Sequence, residues 1–284
     1  MCRLFGLTAG TARVKATFWL LDAPDSLAVQ SHRNVDGAGI GFFGPGGEPV
    51  LDKQPEPAFG DEEFIHEARQ AESATFVAHV RWATAGGRTE ANTHPFAMRG
   101  RIMAHNGGFG EIPRLDERLG EYASLVLGGT DSERYFALIT QQIDEHGGDV
   151  SAGIAAATGW IGENLPVSSL NMILAAPGEL WALRYPGQHA LHIIERPAGP
   201  GDTPAGQGLH VRSATSSVHV PALHAAPSVV VASERLDGES GWRMLASGEL
   251  VHVRPDLSVE SSVVIPGPPR RLVPLPAGNP NIDT

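Results

Sequence analysis

Short apolar runs separated by polar, glycine-rich breaks recur along most of the chain. Runs or strict alternations at 3–8, 39–43, 75–82 and 101–105 predict strands in the first half. Those at 170–175, 180–185, 190–194, 210–214, 228–232 and 250–253 predict more in the second. Three windows repeat at helical spacing instead. Residues 61–71 are charged and amphipathic, and 131–145 place Tyr135, Leu138, Ile139 and Ile143 on one stripe. Residues 151–161 are alanine-rich, with Ile154, Ala155, Thr158 and Ile161 in phase. Two of these helices lie back to back in mid-chain with strands before and after them. That order predicts an α+β fold and argues against a regular βαβ parallel sheet. Residues 197–208, rich in glycine and proline, read as an exposed loop between strands. Residues 266–284 carry six prolines and little periodicity, and read as an extended surface tail.

Composition narrows the function classes. The 284 residues are 42% hydrophobic and 19% charged, ample for a core. Against 21 basic residues stand 32 acidic ones, a net charge of −11, so neither nucleic acid nor an anionic membrane is an expected partner. No run approaches the roughly 18–20 apolar residues that span a bilayer, and the first residues lack a signal-peptide pattern. A cytoplasmic location is expected. The single cysteine excludes an internal disulfide and a multi-cysteine metal site. His79, His94 and His105 lack ligand spacing, so neither metal nor cofactor is expected.

That one cysteine, Cys2, directly follows Met1. Excision of Met1 leaves an α-amine and a thiol on the same residue. The amine titrates near ~7.7–8.0 and the thiol near ~8.5, so one can act as base to the other. This is the N-terminal-nucleophile arrangement; the competing reading is a small buried thiol with no chemistry. Four further segments bear on it. Arg81, in His79-Val80-Arg81-Trp82-Ala83-Thr84, ends a predicted strand and presents a planar fork suited to a carboxylate. His105-Asn106-Gly107-Gly108 follows the strand 101–104; Asn-Gly is first a turn signal, and such a turn can aim two N–H donors at one point. Gly129-Thr130-Asp131-Ser132-Glu133 opens the best helix, where Thr130 or Asp131 can cap it and an acid can hold a substrate ammonium. The glycine-rich stretch from Asn34 to Gly41 reads as a tight turn feeding a core strand near Cys2.

In this order the segments resemble the class II glutamine amidotransferases, the cysteine members of the N-terminal-nucleophile hydrolases. The likeness rests on Met-Cys-Arg-Leu-Phe-Gly at the start, Asp36-Gly37, His79–Thr84, Asn92-Thr93-His94-Pro95-Phe96, His105-Asn106-Gly107 and Gly129–Glu133. It implies a four-layer αββα sandwich filling residues 1–265, with 266–284 as a proline-rich tail. It also implies Cys2 as nucleophile, with Asn106 and Gly107 as oxyanion donors. Arg81 falls where the family binds the α-carboxylate of glutamine and Asp131 where it binds the α-ammonium, while Trp82, Thr84 and His94 lie in pocket-shaping motifs. The implied reaction is hydrolysis of glutamine or a γ-glutamyl amide through a glutamyl thioester. No synthase domain follows residue 265, so a stand-alone glutaminase-type domain, serving a separate synthase subunit or its own small-molecule substrate, is expected. The alternative is a non-catalytic glutamine-sensing subunit of the same fold.

Overall fold

The structure, a computed structural model, describes residues 2–83, 86–197, 209–212, 217–220 and 226–275. Its first half runs β1 (Arg3–Thr8), α1 (Leu27–Gln30), β2 (Ala38–Phe43), β3 (Pro49–Gln54), α2 (Glu62–Gln70), β4 (Thr75–Val80), β5 (Phe96–Met98) and β6 (Arg101–Phe109). Three helices follow, α3 (Ile112–Leu119), α4 (Asp131–Glu145) and α5 (Val150–Asn164). The second half adds β7 (Pro166–Ala176), β8 (Glu179–Arg184), β9 (His192–Arg196), the paired β10 (Leu209–Arg212) and β11 (Ser217–Val220), and β12 (Ser228–Ala232). It closes with β13 (Arg243–Met244), β14 (Glu249–Val253), β15 (Val259–Val263) and β16 (Arg271–Leu272).

Strand alternation explains how these elements become layers. One sheet has the order β13-β9-β12-β1-β4-β2-β3 and the other β15-β14-β8-β7-β6-β5, with β16 joined to β7. On β1, Phe5 and Leu7 point outward with Phe76, Ala78 and Val80 of β4, against Phe64 and Ala68 of α2. Leu4 and Val77 point inward and meet Ile102 and Ala104 of β6 and Ile173 of β7. Met103 and Met172, one residue out of phase, face Tyr135, Leu138 and Ile139 of α4 and Ile154 of α5. Successive side chains on a strand take opposite faces, so each sheet is apolar on both and needs a helical cover outside. The result is the four-layer αββα arrangement. The sheets approach closely at Gly6, where a Cβ would lie 2.8 Å from Ile173 and 2.9 Å from Leu180.

Several boundaries differ from the sequence reading. The strand expected over 101–105 continues to Phe109, so Asn106-Gly107 lies inside β6 rather than in a turn after it. Its partner β7 supplies the ladder, pairing Asn106 with Asn171 and Gly107 with Leu170. The strand expected at 190–194 is shifted to His192–Arg196. The helix expected over 151–161 runs from Val150 to Asn164, because Asp149 caps it by accepting from Ala152 N–H at 2.9 Å. Much of the loop 197–208 lies outside the described residues. The tail is laid along the molecule as far as it is described: β16 pairs parallel to β7, and Arg271 forms an ion pair with Glu111.

Candidate active site

Cys2 immediately precedes β1, a central strand of its sheet, where Arg3 pairs with Val80 of β4. The register therefore brings Cys2 beside the residues that follow β4. The Trp82 N–H donates to Cys2 Sγ at 3.3 Å, and the thiol lies 3.5 Å from the Trp82 carbonyl oxygen. Burial pushes the Cys2 thiol up from its ordinary value, while the Trp82 hydrogen bond and the Arg81 and Arg3 charges pull it down. Trp82 itself is 44% exposed.

Arg81 is buried, and its backbone prolongs the β4–β2 pairing. Its N–H donates to Gly37 O at 2.7 Å, and Asp36 N–H donates to Arg81 O at 3.0 Å. Its guanidinium donates to Gly87 O at 3.1 Å. Asp36 anchors the same loop from below, accepting from Ala83 N–H at 2.8 Å and pairing with Arg88. Asn92 then bridges two loops. Its amide donates to Gly87 O at 3.2 Å and its oxygen accepts from Gly129 N–H at 2.8 Å. Buried Glu133 fixes the same turn, accepting from Leu127 N–H at 3.1 Å and Gly128 N–H at 2.8 Å. Through these contacts the loop of Arg81 is tied to the segment that opens α4 at Asp131. Thr130 caps that helix by accepting from Glu133 N–H at 3.2 Å.

Asp131 in turn reaches β6. Its Oδ2 accepts from Phe109 N–H at 3.3 Å, three residues beyond Asn106. Asn106 is buried, and its carbonyl accepts from Ser169 Oγ at 3.1 Å. At Gly107 a Cβ would sit 2.8 Å from that of Ser169 and overlap the Ser169 carbonyl, so only glycine keeps the ladder here. His105 joins the strand to α4. Its Nε2 lies 3.3 Å from Ser169 O, a pure acceptor, so Nε2 carries the proton and Nδ1 accepts from the Ser132 hydroxyl at 2.9 Å. Burial lowers the His105 pKa and keeps the ring neutral.

His94 occupies a different place from the other candidates. It is buried, its ring tilted against those of His79 and Phe96, with centroids 4.2 and 4.6 Å away. Burial pushes His79 down to about 3 and His94 well below its ordinary range, so both rings are neutral packing groups. Thr84 lies outside the described residues. Cys2, Arg81, Trp82, Asn106, Gly107 and Asp131 thus sit on elements that are hydrogen-bonded or packed together, with β1 against β6. Sequence reasoning missed the groups that hold them: Asp36 as an acceptor, Asn92, Glu133 and Ser132. All four lie within the segments that carry the family resemblance, Asp36-Gly37, Asn92–Phe96 and Gly129–Glu133, but their local sequence does not name their partners.

Among the described residues no group of three or more His, Cys, Asp or Glu side chains is arranged to hold a metal ion. No helix among them is long and apolar enough to cross a membrane. A γ-glutamyl-hercynylcysteine sulfoxide hydrolase of Mycobacterium tuberculosis is 30% identical over 267 residues, covering 89% of this chain and 93% of the relative. A probable glutamine amidotransferase of Saccharomyces cerevisiae is 32% identical over 126 residues, 41% of this chain and 35% of its own length. The chain therefore spans about a third of that longer relative. A solved glutamine aminotransferase class-II domain protein from Silicibacter pomeroyi superposes with a TM-score of 0.60 at 20% identity, covering 93% of this chain and all of that one. The family profile described as glutamine amidotransferases class-II matches residues 1–265, and the chain belongs to that family.

Proposed function

We propose that this chain, with Met1 excised, hydrolyses a γ-glutamyl amide using Cys2 as nucleophile. The observation that carries the reading is the Cys2 thiol held by Trp82 N–H, beside a buried Arg81 whose loop is bridged by Asn92 to the Asp131 segment. Arg81 takes the α-carboxylate of the glutamyl group and Asp131 its α-ammonium, fixing an amino acid by its two charges and presenting the side-chain carbonyl to Sγ. Trp82 and His94 shape the surrounding pocket.

The freed α-amine of Cys2 accepts the thiol proton, and Sγ forms a bond to the γ-carbonyl carbon. The negative oxygen that develops accepts hydrogen bonds from the Asn106 side chain and the Gly107 N–H. The C–N bond breaks, the amine leaves with the proton, and a glutamyl thioester remains. Water, activated by the same α-amine, attacks that carbonyl and returns glutamate and the free thiol. The name of the M. tuberculosis relative, a hydrolase of a γ-glutamyl compound across nearly the same length, supports this class of reaction. Glutamate release from glutamine and from γ-glutamyl amides tests it. Turnover is expected from the wild type and none from Cys2→Ala; undiminished turnover in that variant would show that another group is the nucleophile.

A further inference from the structure

His105 adjoins the proposed oxyanion donors but faces away from Cys2. Successive side chains of β6 take opposite faces, so Asn106 points between the sheets with Ile102 and Ala104, while His105 points with Met103 toward α4. There the ring is buried and packed edge-on against Tyr135, with centroids 5.4 Å apart. Its two nitrogens meet groups tied to the two halves of the proposed site. Nε2–H donates to the Ser169 carbonyl at 3.3 Å, and Ser169 Oγ donates to the Asn106 carbonyl at 3.1 Å. That same Ser169 carbonyl is what a Cβ at Gly107 would overlap. Nδ1 accepts from Ser132 Oγ at 2.9 Å, and Ser132 Oγ lies 3.4 Å from Asp131 Oδ1. The other Asp131 oxygen accepts from Phe109 N–H and would lie 3.5 Å from a Cβ at Gly108, so the carboxylate rests against β6 itself.

The Ser132 hydroxyl has one proton and two acceptors within reach. With Nε2 protonated, Nδ1 offers a neutral lone pair, whereas Asp131 Oδ1 is anionic. The anionic oxygen is the stronger acceptor, so an Asp131 without a cation draws the hydroxyl away from His105. An ammonium on Asp131 offsets that pull and returns the proton to Nδ1. The hydroxyl is therefore a two-position element biased from both ends, which is what coupling between two sites requires. With Nδ1 satisfied, the ring is held on both sides, and its Nε2–H keeps the Ser169 carbonyl and the paired Asn106-Gly107 in register. Burial keeps the ring neutral, which leaves Nδ1 able to accept.

We propose that His105 is a positioning residue that transmits α-ammonium binding at Asp131 to the oxyanion donors, so that the α-amine of the glutamyl group is read in the chemical step as well as in binding. The inference rests on the γ-glutamyl reading above and adds a specificity rule to it: acyl groups without the α-amine, such as glutaryl amides, are discriminated in rate as well as in affinity. His105 makes and breaks no covalent bond, and the hydroxyl proton stays on Ser132.

Labelling of Cys2 by a pair of diazoketones tests this, because it reads thiol attack whatever amine the substrate carries. 6-Diazo-5-oxo-L-norleucine has the glutamyl α-amine, and 6-diazo-5-oxohexanoate lacks it. The maximal labelling rate, kinact, and the half-saturating concentration, KI, are followed by intact mass. In the wild type kinact should be at least about tenfold higher for the amino compound, a part of the ~10²–10³ that loss of an oxyanion donor costs. His105→Phe, which keeps an aromatic ring against Tyr135, and Ser132→Ala should each slow the amino compound until the kinact ratio falls below about threefold, while the KI ratio set by Asp131 stays within about twofold of wild type. Loss of packing alone would slow both probes equally and leave the ratio unmoved. Equal kinact for the two probes in the wild type, or a ratio untouched by both substitutions, overturns the inference while leaving Cys2 as the nucleophile. No labelling of Cys2 by the amino compound overturns the γ-glutamyl reading and the inference together.

Discussion

Strand β6, proposed to carry the oxyanion donors, and the Arg81 loop, proposed to grip the substrate, are held by different forces. β6 is fixed by backbone pairing to β7 from Ile102 to Phe109, so the positions of Asn106 and Gly107 follow from a ladder. Among the described residues of 81–94, ladder-like backbone pairing is that of Arg81 with Asp36 and Gly37. They are held by single side-chain contacts: Asp36 to Ala83, Arg81 to Gly87, and Asn92 to Gly87 and Gly129. A ladder fails as a unit when steric room is lost, whereas side-chain contacts fail one at a time. Damage to β6 should therefore appear in kcat and in stability together, and damage to the loop mainly in KM.

Gly107→Ala is the strongest attack on the ladder side. The added methyl overlaps the Ser169 carbonyl, so strand pairing and the oxyanion donor are displaced together. A loss of about 10²–10³ in kcat with a clearly lowered Tm is expected; an unchanged Tm with full activity would mean the ladder is not rigid. On the loop side, Arg81→Ala removes the proposed charge-assisted clamp on the glutamyl carboxylate. KM should rise roughly 10–100-fold with the Tm within a few degrees of wild type. If KM stayed constant, Arg81 would not be the carboxylate partner.

Asn92→Ala probes the bridge between the loops without touching a substrate group. Two hydrogen bonds of about 0.5–1.5 kcal/mol each are lost, so KM should rise about tenfold with kcat largely kept. A fall in kcat alone would place the damage on the β6 side instead. The smallest effect concerns the buried His79 ring. Its folded pKa, about 3, lies below the unfolded value near ~6.5, so the unfolded chain binds the extra proton between them. Stability from this group is fully present above pH ~6.5 and is lost as pH falls toward 3. His79→Phe should flatten the decline of denaturation midpoint between pH 6 and 4; an equally steep decline would assign the acid sensitivity to other groups.

The same contrast explains what could be read from the chain. β1, β4 and α4 were legible almost to the residue, because apolar alternation and a Thr130 cap followed by acids are local signals. Edge strands β3, β5 and β15 were not: β3 is half-buried throughout, β5 is three residues long, and β15 is largely exposed. Asn106-Gly107 misled in the opposite sense. Asn-Gly prefers a turn, yet pairing with β7 and close approach to Ser169 draw it into the strand. Asp36 and Asn92 contact backbone groups 47 and 37 residues away, so nothing near them in sequence announces their part. The His105–Ser132 contact joins positions 27 residues apart, which only the fold brings together.

The central claim is that Cys2 becomes the chain's first residue and attacks a glutamyl carbonyl. Intact mass of the purified protein, before and after treatment with a glutamine-analogue electrophile, tests it most directly. The account predicts a mass lower than the full sequence by one methionine, then a gain of one adduct mapped to Cys2. Retained Met1 with no adduct at Cys2 would contradict it and favour a glutamine-sensing subunit of the same fold.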